Sequence, residues 1–203
     1  MSETSTVLNA FVLLDRSGSM NSRWDEALGA VNAYVRELGD AAAVTLATFD
    51  AVDGLKFDVI RDHVPAVDWK DVTSADASPR GQTPLLDAVA RIVALAETAD
   101  GARTVIVVMT DGHENASREV TKEQARAAVQ RCKAKHWQVV FLGADFDAFG
   151  EAGEVGVTSA QTLRTNSGRY EVSMKSVARH SRRYRDAGES IVFSDEDRKE
   201  ADQ

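Results

Sequence analysis

The chain has 203 residues and a net charge of −8 at pH 7, and 43% of its residues are hydrophobic and 28% charged. This composition is typical of one soluble globular domain that is long enough to bury a core without disulfide cross-links. The acidic balance argues against a nucleic-acid partner, because phosphate contacts need a clustered positive field.

The cysteine content and the first residues bear on the cellular compartment. Cys132 is the single cysteine, so no internal disulfide can form, which favours a reducing, cytoplasmic location. Residues 1–6 carry no positive charge, and the apolar run at 7–14 is too short for a signal core or a membrane span. We therefore expect a cytoplasmic domain that does not contact a membrane.

The first predicted element is a strand over residues 7–14, because a short, continuous apolar run suits a strand buried on both faces of a parallel sheet. The sequence Asp-Arg-Ser-Gly-Ser follows at 15–19, where Gly18 permits a tight turn. Apolar residues at helical spacing then predict a first helix that ends at Gly39; they are Leu28, Val31, Val35 and Leu38.

The next segment predicts a hairpin. Residues 43–49 form a second strand, the pair Asp53-Gly54 is a hairpin signal, and residues 55–64 return as an antiparallel edge strand. Residues 66–82 are rich in Asp, Ser, Pro and Gly, which predicts a loop with a helical turn around 69–72.

The second half of the chain alternates helices and strands. Thr83 as cap and Pro84 as first residue predict a second helix that Asp100-Gly101 closes. Residues 105–109 and 139–142 predict central strands, separated by a helix with a capping box at 121–124. We further expect a short helix at 145–150, a weak strand at 160–163, a helix at 170–185 and a charged, frayed end at 195–203. The expected inner faces of these helices are Leu85, Val89, Ile92 and Ala96, then Ala125, Ala128, Val129 and Cys132, then Val172, Met174, Val177 and Ala178.

This alternation predicts an α/β fold: a doubly wound, Rossmann-like and mostly parallel six-stranded sheet, with one antiparallel edge strand and helices on both faces. The expected strand order is 3-2-1-4-5-6, in which the strands that end near Asp15 and Asp111 are neighbours. Their connections leave in opposite directions, which opens a crevice at their carboxyl ends. We expect one domain over residues 1–189, with its core at about 7–185, and a charged tail over 190–203.

Three loops are expected to meet at this crevice. The first carries Asp15, Ser17 and Ser19, the second carries the Thr83 hydroxyl, and the third is Thr110-Asp111-Gly112. The candidate ligands Asp15, Ser17, Ser19, Thr83 and Asp111 offer two carboxylates and three hydroxyls, without a histidine or a thiolate. Hard oxygen donors favour Mg²⁺ or Mn²⁺, with Ca²⁺ as a further candidate, over Zn²⁺ or Cu²⁺.

These motifs resemble the metal-ion-dependent adhesion site of the von Willebrand factor A (VWA) superfamily, which is Asp-x-Ser-x-Ser, a separate Thr and a separate Asp. Asp15, Ser17, Ser19, Thr83 and Asp111 match all five positions in order. The resemblance implies that Ser17 and Ser19 bind the metal directly and that Thr83 binds it directly or through water. It implies that the two aspartates act mainly through water and hydrogen bonds to the serines. The ion would then take an Asp or Glu of a partner protein as its anionic ligand.

The resemblance further implies a small stand-alone member of bacterial type, without enzymatic activity, for which we expect a monomer. Such members work beside chaperone-like ATPases or in the assembly of larger complexes. The helix at 170–185 would correspond to the mobile C-terminal helix of adhesion domains, whose shift would be coupled to Thr83.

Two alternatives stay open: a Mg²⁺-dependent phosphohydrolase, and a VWA scaffold whose metal site is vestigial. Haloacid-dehalogenase-like phosphatases carry a second aspartate where this chain has Ser17, which argues against the first alternative. The dinucleotide-binding, P-loop and Gly-x-Ser-x-Gly motifs are also missing from the sequence.

Several residues near the motifs have a structural and a functional interpretation. We expect Arg16 to point outward and to select an acidic partner, and Asp50 to lie at the rim or in a turn. Asp87 either bonds the first loop or interacts with the helix dipole. A structural role is favoured for the others, which are Trp24, His113, Glu114, Asn115, Cys132 and the arginines at 179, 182, 183 and 185.

Overall fold

A computed structural model of the protein describes residues 7–99, 103–144 and 148–203. Within them, six strands form one sheet in the order β3-β2-β1-β4-β5-β6. The strands are β1 (Leu8–Asp15), β2 (Ala42–Ala51), β3 (Leu55–Pro65), β4 (Arg103–Thr110), β5 (Gln138–Ala144) and β6 (Thr162–Thr165). β3 runs antiparallel to β2 and the other pairs are parallel, so the predicted strand order and antiparallel edge are confirmed.

The sheet is covered by helices on both faces, because its central strands are apolar on both sides. In β1, Leu8, Ala10, Val12 and Leu14 pack in one core cluster, whereas Phe11 and Leu13 pack in the other. Helices α1 and α5 contribute to the first cluster, and α2 and α3 to the second. The helices are α1 (Trp24–Leu38), α2 (Leu85–Glu97), α3 (Lys122–Ala134), α4 (Ala148–Glu154), α5 (Tyr170–Ala187) and α6 (Asp195–Asp202).

Some predicted boundaries differ from the structure. The helical turn expected at 69–72 lies earlier, as a 3₁₀ turn at Ala66–Asp68, and the last strand begins at Thr162 after a 3₁₀ turn. α2 begins at Leu85 with Pro84 as its N-cap, so Thr83 is not the cap residue that the sequence predicts. The expected stop at Asp100-Gly101, the start of the helix at 145–150 and residues 1–6 lie outside the described residues.

The C-terminal end is a helix and not the frayed segment expected from its charge. Ser194 and Asp197 form a capping box at the start of α6, with Ser194 Oγ accepting a hydrogen bond from the Asp197 N–H. The Asp197 carboxylate also accepts hydrogen bonds from Ser176 Oγ at 2.6 Å and from Arg179 Nη2 at 2.9 Å, both on α5. The charged end is therefore ordered by polar contacts with α5, while the domain boundary at residue 189 stays a prediction.

α5 is an 18-residue helix with a polar buried face. Ser173 and Ser181 are buried, whereas Val172, expected in the core, is half-buried. Ser173 Oγ lies 2.7 Å from Thr165 Oγ1, and Ser181 Oγ donates to the Val177 carbonyl, so hydrogen bonds satisfy these buried hydroxyls. Across the part of the chain that the structure describes, no helix combines the length and apolar character that a bilayer crossing needs.

Candidate functional site

Asp15 joins the first and third predicted loops. It is the last residue of β1 and is fully buried beside the carboxyl end of β4. Its Oδ1 accepts the Ser17 backbone N–H at 2.7 Å, and its Oδ2 accepts the Thr110 hydroxyl at 2.6 Å. Both carboxylate oxygens therefore hold backbone or side-chain donors of the surrounding loops.

The hydroxyls of the first loop connect to Asp111. Ser17 Oγ and Ser19 Oγ lie 3.0 Å apart, and Ser19 Oγ donates a 2.6 Å hydrogen bond to Asp111 Oδ1. Ser17 is buried and Ser19 is exposed, so the row of oxygens runs from the interior to the surface. Such a row is open to a ligand from solution at its outer end.

Gly112 marks the point where the three loops meet. A Cβ atom on Gly112 would lie 2.9 Å from Thr83 Oγ1, 3.4 Å from Ser19 Oγ and 3.8 Å from Asp15 Oδ2. Thr83 is itself held by Asn115, whose Oδ1 accepts the Thr83 N–H at 2.9 Å. The structure thus brings Thr83, Ser19 and Asp15 around a small space that a side chain at 112 would enter, and Ser17 and Asp111 both contact Ser19.

The donor set of this crevice is rich in hydroxyls. Among residues 7–99, 103–144 and 148–203, no group of three or more His, Cys, Asp or Glu side chains is arranged to hold a metal ion. A cation in the crevice would therefore depend on the hydroxyls of Ser17, Ser19 and Thr83 as well as on the two carboxylates. An all-oxygen set of this kind fits a hard cation and does not fit Zn²⁺ or Cu²⁺.

Burial disfavours the charged form of Asp15. Desolvation raises the pKa of its carboxyl group from 3.8 to about 6, against the opposite effect of the hydrogen bonds from Thr110 and Ser17. The nearby negative charge of Asp111 is a smaller cause of the same rise. A positive charge in the crevice would offset both unfavourable effects, which is a second reason why the site suits a cation.

Arg23 supplies one positive charge next to the site. It lies at the end of the 3₁₀ turn Gly18–Arg23, and its Nε is 3.4 Å from Asp111 Oδ2. Arg23 cannot be predicted from the sequence, since a single arginine eight positions after Asp15 belongs to no motif. Thr110 lies in the third predicted loop, but only the structure shows that its hydroxyl bonds Asp15.

The expectation that Arg16 points outward is wrong. Arg16 is buried, and its Nε and Nη2 donate to Asp50 Oδ2 and Asp58 Oδ2, each at 2.5 Å. Asp50 lies inside β2, fully buried, and also receives Arg80 Nε at 3.2 Å, so it belongs neither to a rim nor to a turn. Arg16 therefore anchors the first loop to the β2–β3 hairpin, because a buried guanidinium needs carboxylate partners.

The polar residues after Asp111 hold the start of α2. Glu114 accepts the N–H groups of Leu86, Ala116 and Ser117, which supports the structural role favoured for it. Asp87 does not bond the first loop: it accepts the N–H groups of residues 118–120 and holds the segment that follows Asp111. His113 is exposed at the rim, with its Nδ1 2.8 Å from Glu151 Oε1.

The other residues with two interpretations are structural. Trp24 is buried and its Nε1 donates to the Ala77 carbonyl, and Cys132 is a buried thiol whose pKa is raised to about 11 by desolvation. Arg179 and Arg182 form ion pairs with Asp197 and Glu37.

The family model of the von Willebrand factor type A domain matches residues 9–178. Proximal thread matrix protein 1 from the mussel byssus is similar in structure, with a TM-score of 0.60 and 18% identity over 87% of this chain and 47% of that chain. The vWF domain of the type V pili tip protein Mfa5 from Porphyromonas gingivalis has a TM-score of 0.67 and 9% identity over 87% of this chain and 95% of that chain. Manganese-loaded Plasmodium vivax TRAP protein has a TM-score of 0.60 and 13% identity over 83% of this chain and 72% of that chain.

These structural likenesses show the fold alone, because the identities are low. The chain spans about half the length of the mussel protein, 47% of it. No curated protein sequence matches the chain. The family match has a firmer basis, since it covers most of the sequence and includes all three loops of the crevice. The chain is therefore a member of the von Willebrand factor type A domain family.

Proposed function

We propose that the crevice binds Mg²⁺ or Mn²⁺, with Ca²⁺ as a further candidate, and that the ion coordinates an acidic residue of a partner protein. Ser17 and Ser19 would be direct ligands and Thr83 would bind directly or through water, while Asp15 and Asp111 would act mainly through water and hydrogen bonds. The observation that carries this proposal is the meeting of three loops around Gly112, where Thr83, Ser19 and Asp15 oxygens surround one small space. The manganese loaded in the TRAP protein supports it.

The hydrogen bonds of the two aspartates explain why an external anion is needed. Both Asp15 oxygens accept hydrogen bonds, and Asp111 Oδ1 accepts one from Ser19. Carboxylates engaged in this way leave neutral hydroxyls as the nearest ligands, so a bound cation keeps most of its charge. An Asp or Glu side chain from a partner would complete the coordination, and the domain would act in protein binding and not in catalysis.

We describe the partner by the chemical group that it presents, an accessible carboxylate. Because the net charge of −8 on this protein repels a carboxylate, the attraction has to come from the ion and the neighbouring Arg23. We propose a cytoplasmic, monomeric domain of bacterial type whose partner is a chaperone-like ATPase or an assembly factor, without a nucleic-acid or membrane partner. The single cysteine supports a reducing compartment.

Calorimetric titration with Mg²⁺ and Mn²⁺ tests the metal site. We expect the wild type to bind one ion per chain and the Ser17→Ala and Asp111→Ala variants to lose this binding while keeping their circular dichroism spectra. Ser22→Ala is the matched control, because Ser22 is an exposed serine of the same turn and is not a predicted ligand. Unaltered binding in both site variants would refute the assignment.

A pull-down from the native cell extract, with Mg²⁺ or with EDTA, tests the partner. We expect a partner that is retained by the wild type in Mg²⁺ and released by EDTA, and that Ser17→Ala does not retain. Each retained protein is then tested by replacing its exposed Asp and Glu residues one at a time. A partner that binds equally well in EDTA would contradict metal-dependent docking.

A metal-independent scaffold is the second candidate, and one observation favours it. Asp111 already accepts a hydrogen bond from Ser19 and lies 3.4 Å from the Arg23 guanidinium, so its charge is balanced within the protein. In this alternative the wild type shows no heat of binding with either ion, and partner capture is insensitive to EDTA.

A further inference from the structure

A second cavity lies at the opposite edge of the sheet from the crevice. It has a volume of about 660 Å³ and opens at the amino ends of β4 and β5, next to Arg103 and Gln138. The ends of α3 and α5 complete its walls together with Gly188, Ser190, Ile191 and Val192. Since β4 has eight residues, the two sites are separated by roughly 20 Å along the strands.

The charge of this cavity is opposite to that of the whole chain. Three cationic side chains, Arg103, Lys133 and Lys135, line it beside His136, and no carboxylate is found among the described residues of its lining. The chain as a whole has 32 acidic and 24 basic residues, so this local excess of positive charge goes against the average. Low-dielectric walls around such a group of cations concentrate the field for an anionic ligand.

Arg103 is held in a fixed position. Its Nη1 donates to the Tyr184 carbonyl oxygen, and its guanidinium lies 5.4 Å from the centre of the Tyr184 ring. Gly188 lies against the same nitrogen: its φ is +73°, and a Cβ there would be 2.8 Å from Arg103 Nη1. A guanidinium positioned in advance loses little conformational entropy when it binds an anion.

The two lysines keep a net positive charge in the cavity. Lys133 Nζ donates to the Gly156 carbonyl at 2.9 Å, which is a neutral acceptor. Lys135 Nζ lies 4.6 Å from the centre of the Trp137 ring and 3.4 Å from Glu97, but Glu97 also pairs with Arg131 at 3.0 Å. One carboxylate therefore balances two cations. An ammonium has three donors and a guanidinium has five, more than these contacts use.

We propose that this cavity binds the phosphate monoester group of a small polar molecule, of about the size of a mononucleotide. A phosphate monoester carries about −1.5 to −2 charges near neutral pH, which matches the excess positive charge of the three cations. The volume is within the usual range of small-molecule sites. Thr158, Gln161 and Ser190 supply polar side chains for the rest of the ligand. The proposal is independent of the metal crevice.

Calorimetric titration with three phosphate esters, AMP, ribose 5-phosphate and glycerol 3-phosphate, tests the proposal against their dephosphorylated forms. We expect at least one ester to bind. Its dephosphorylated form should bind at least about 10-fold more weakly, because the charged hydrogen bonds to the phosphate are lost. Arg103→Met and Lys133→Met should each weaken binding of that ester by about 10-fold.

Lys175→Met is the control, because Lys175 is a lysine of α5 outside the cavity that pairs with Glu171. It should bind the ester as the wild type does, and so should Ser17→Ala, whose change lies in the metal crevice. Lys133 is half-buried at the end of α3, so its variant keeps the test valid if Arg103→Met fails to fold. The absence of binding by all three esters, equal binding of the dephosphorylated forms, or wild-type affinity in Lys133→Met would each overturn the proposal.

Discussion

Ser19 Oγ donates a 2.6 Å hydrogen bond to Asp111 Oδ1 across 92 positions of sequence. This bond ties the loop after β1 to the loop after β4, and it exists because these parallel strands are neighbours in the sheet. Ser17 Oγ extends the contact at 3.0 Å from Ser19 Oγ.

The titration of Asp15 predicts a stability loss as the pH rises. The pKa of its carboxyl is about 6 in the folded protein and near 3.8 when unfolded, so the folded state holds the extra proton between these values. The contribution, of order 3 kcal/mol, is present below about pH 4 and lost as the pH rises through 6. Urea unfolding in EDTA should show this loss in the wild type relative to Asp15→Asn. A pH-independent difference between the two proteins would contradict it.

Gly112→Ala should abolish cation binding without unfolding the protein. Its methyl group would lie 2.9 Å from Thr83 Oγ1, in the space that the three loops share. Gly153→Ala is the control, since a Cβ there meets nothing within 4 Å. Titration with Mn²⁺ should show loss of binding in the first variant and wild-type affinity in the second. Retained affinity in Gly112→Ala would mean that the ion binds outside the space that the three loops share.

Arg16→Met should destabilise the protein by roughly 3 kcal/mol, because it leaves Asp50 buried with less compensation. Adding Asp50→Asn to this variant should recover part of the loss, since the buried charge is then removed. Urea unfolding of the two single variants and the double variant gives the coupling energy. Purely additive effects would show that the ion pair does not anchor the first loop.

Arg23→Met should strengthen cation binding by roughly fivefold, because a positive charge 3.4 Å from Asp111 is removed. The same variant should be less stable than the wild type in EDTA, where Asp111 loses its ion pair with Arg23. Calorimetry and thermal unfolding measure the two effects. A weaker affinity for the ion would show that Arg23 supports the site and does not compete with the cation.

The sheet could be predicted from sequence because its central strands are apolar runs bounded by turn residues. The same logic located Asp15 and Asp111, since the strand order alone brings the ends of β1 and β4 together. The sequence predicts Thr83 both as a helix cap and in the crevice; Pro84 is the cap, and the Thr83 hydroxyl lies beside Gly112. Local propensity predicts the helix α2, but the neighbouring loop determines where the Thr83 hydroxyl lies.

The polar contacts between distant segments could not be predicted. Arg16 lies between two predicted ligands, and nothing local indicates that Asp50 and Asp58 receive its side chain. The charged α6 is similar: Asp197 meets Ser176 and other residues of α5 about 20 positions earlier. A charged sequence predicts solvent exposure unless its partners are known.

Mn²⁺ titration followed by electron paramagnetic resonance and water-proton relaxation tests the central claim most directly. We expect one Mn²⁺ per chain, with at least one exchangeable water whose relaxation signal falls when acetate is added as a model carboxylate. Ser22→Ala should behave as the wild type, and Ser17→Ala should bind no ion. A bound ion without exchangeable water, or no bound ion in the wild type, would contradict the proposed docking site.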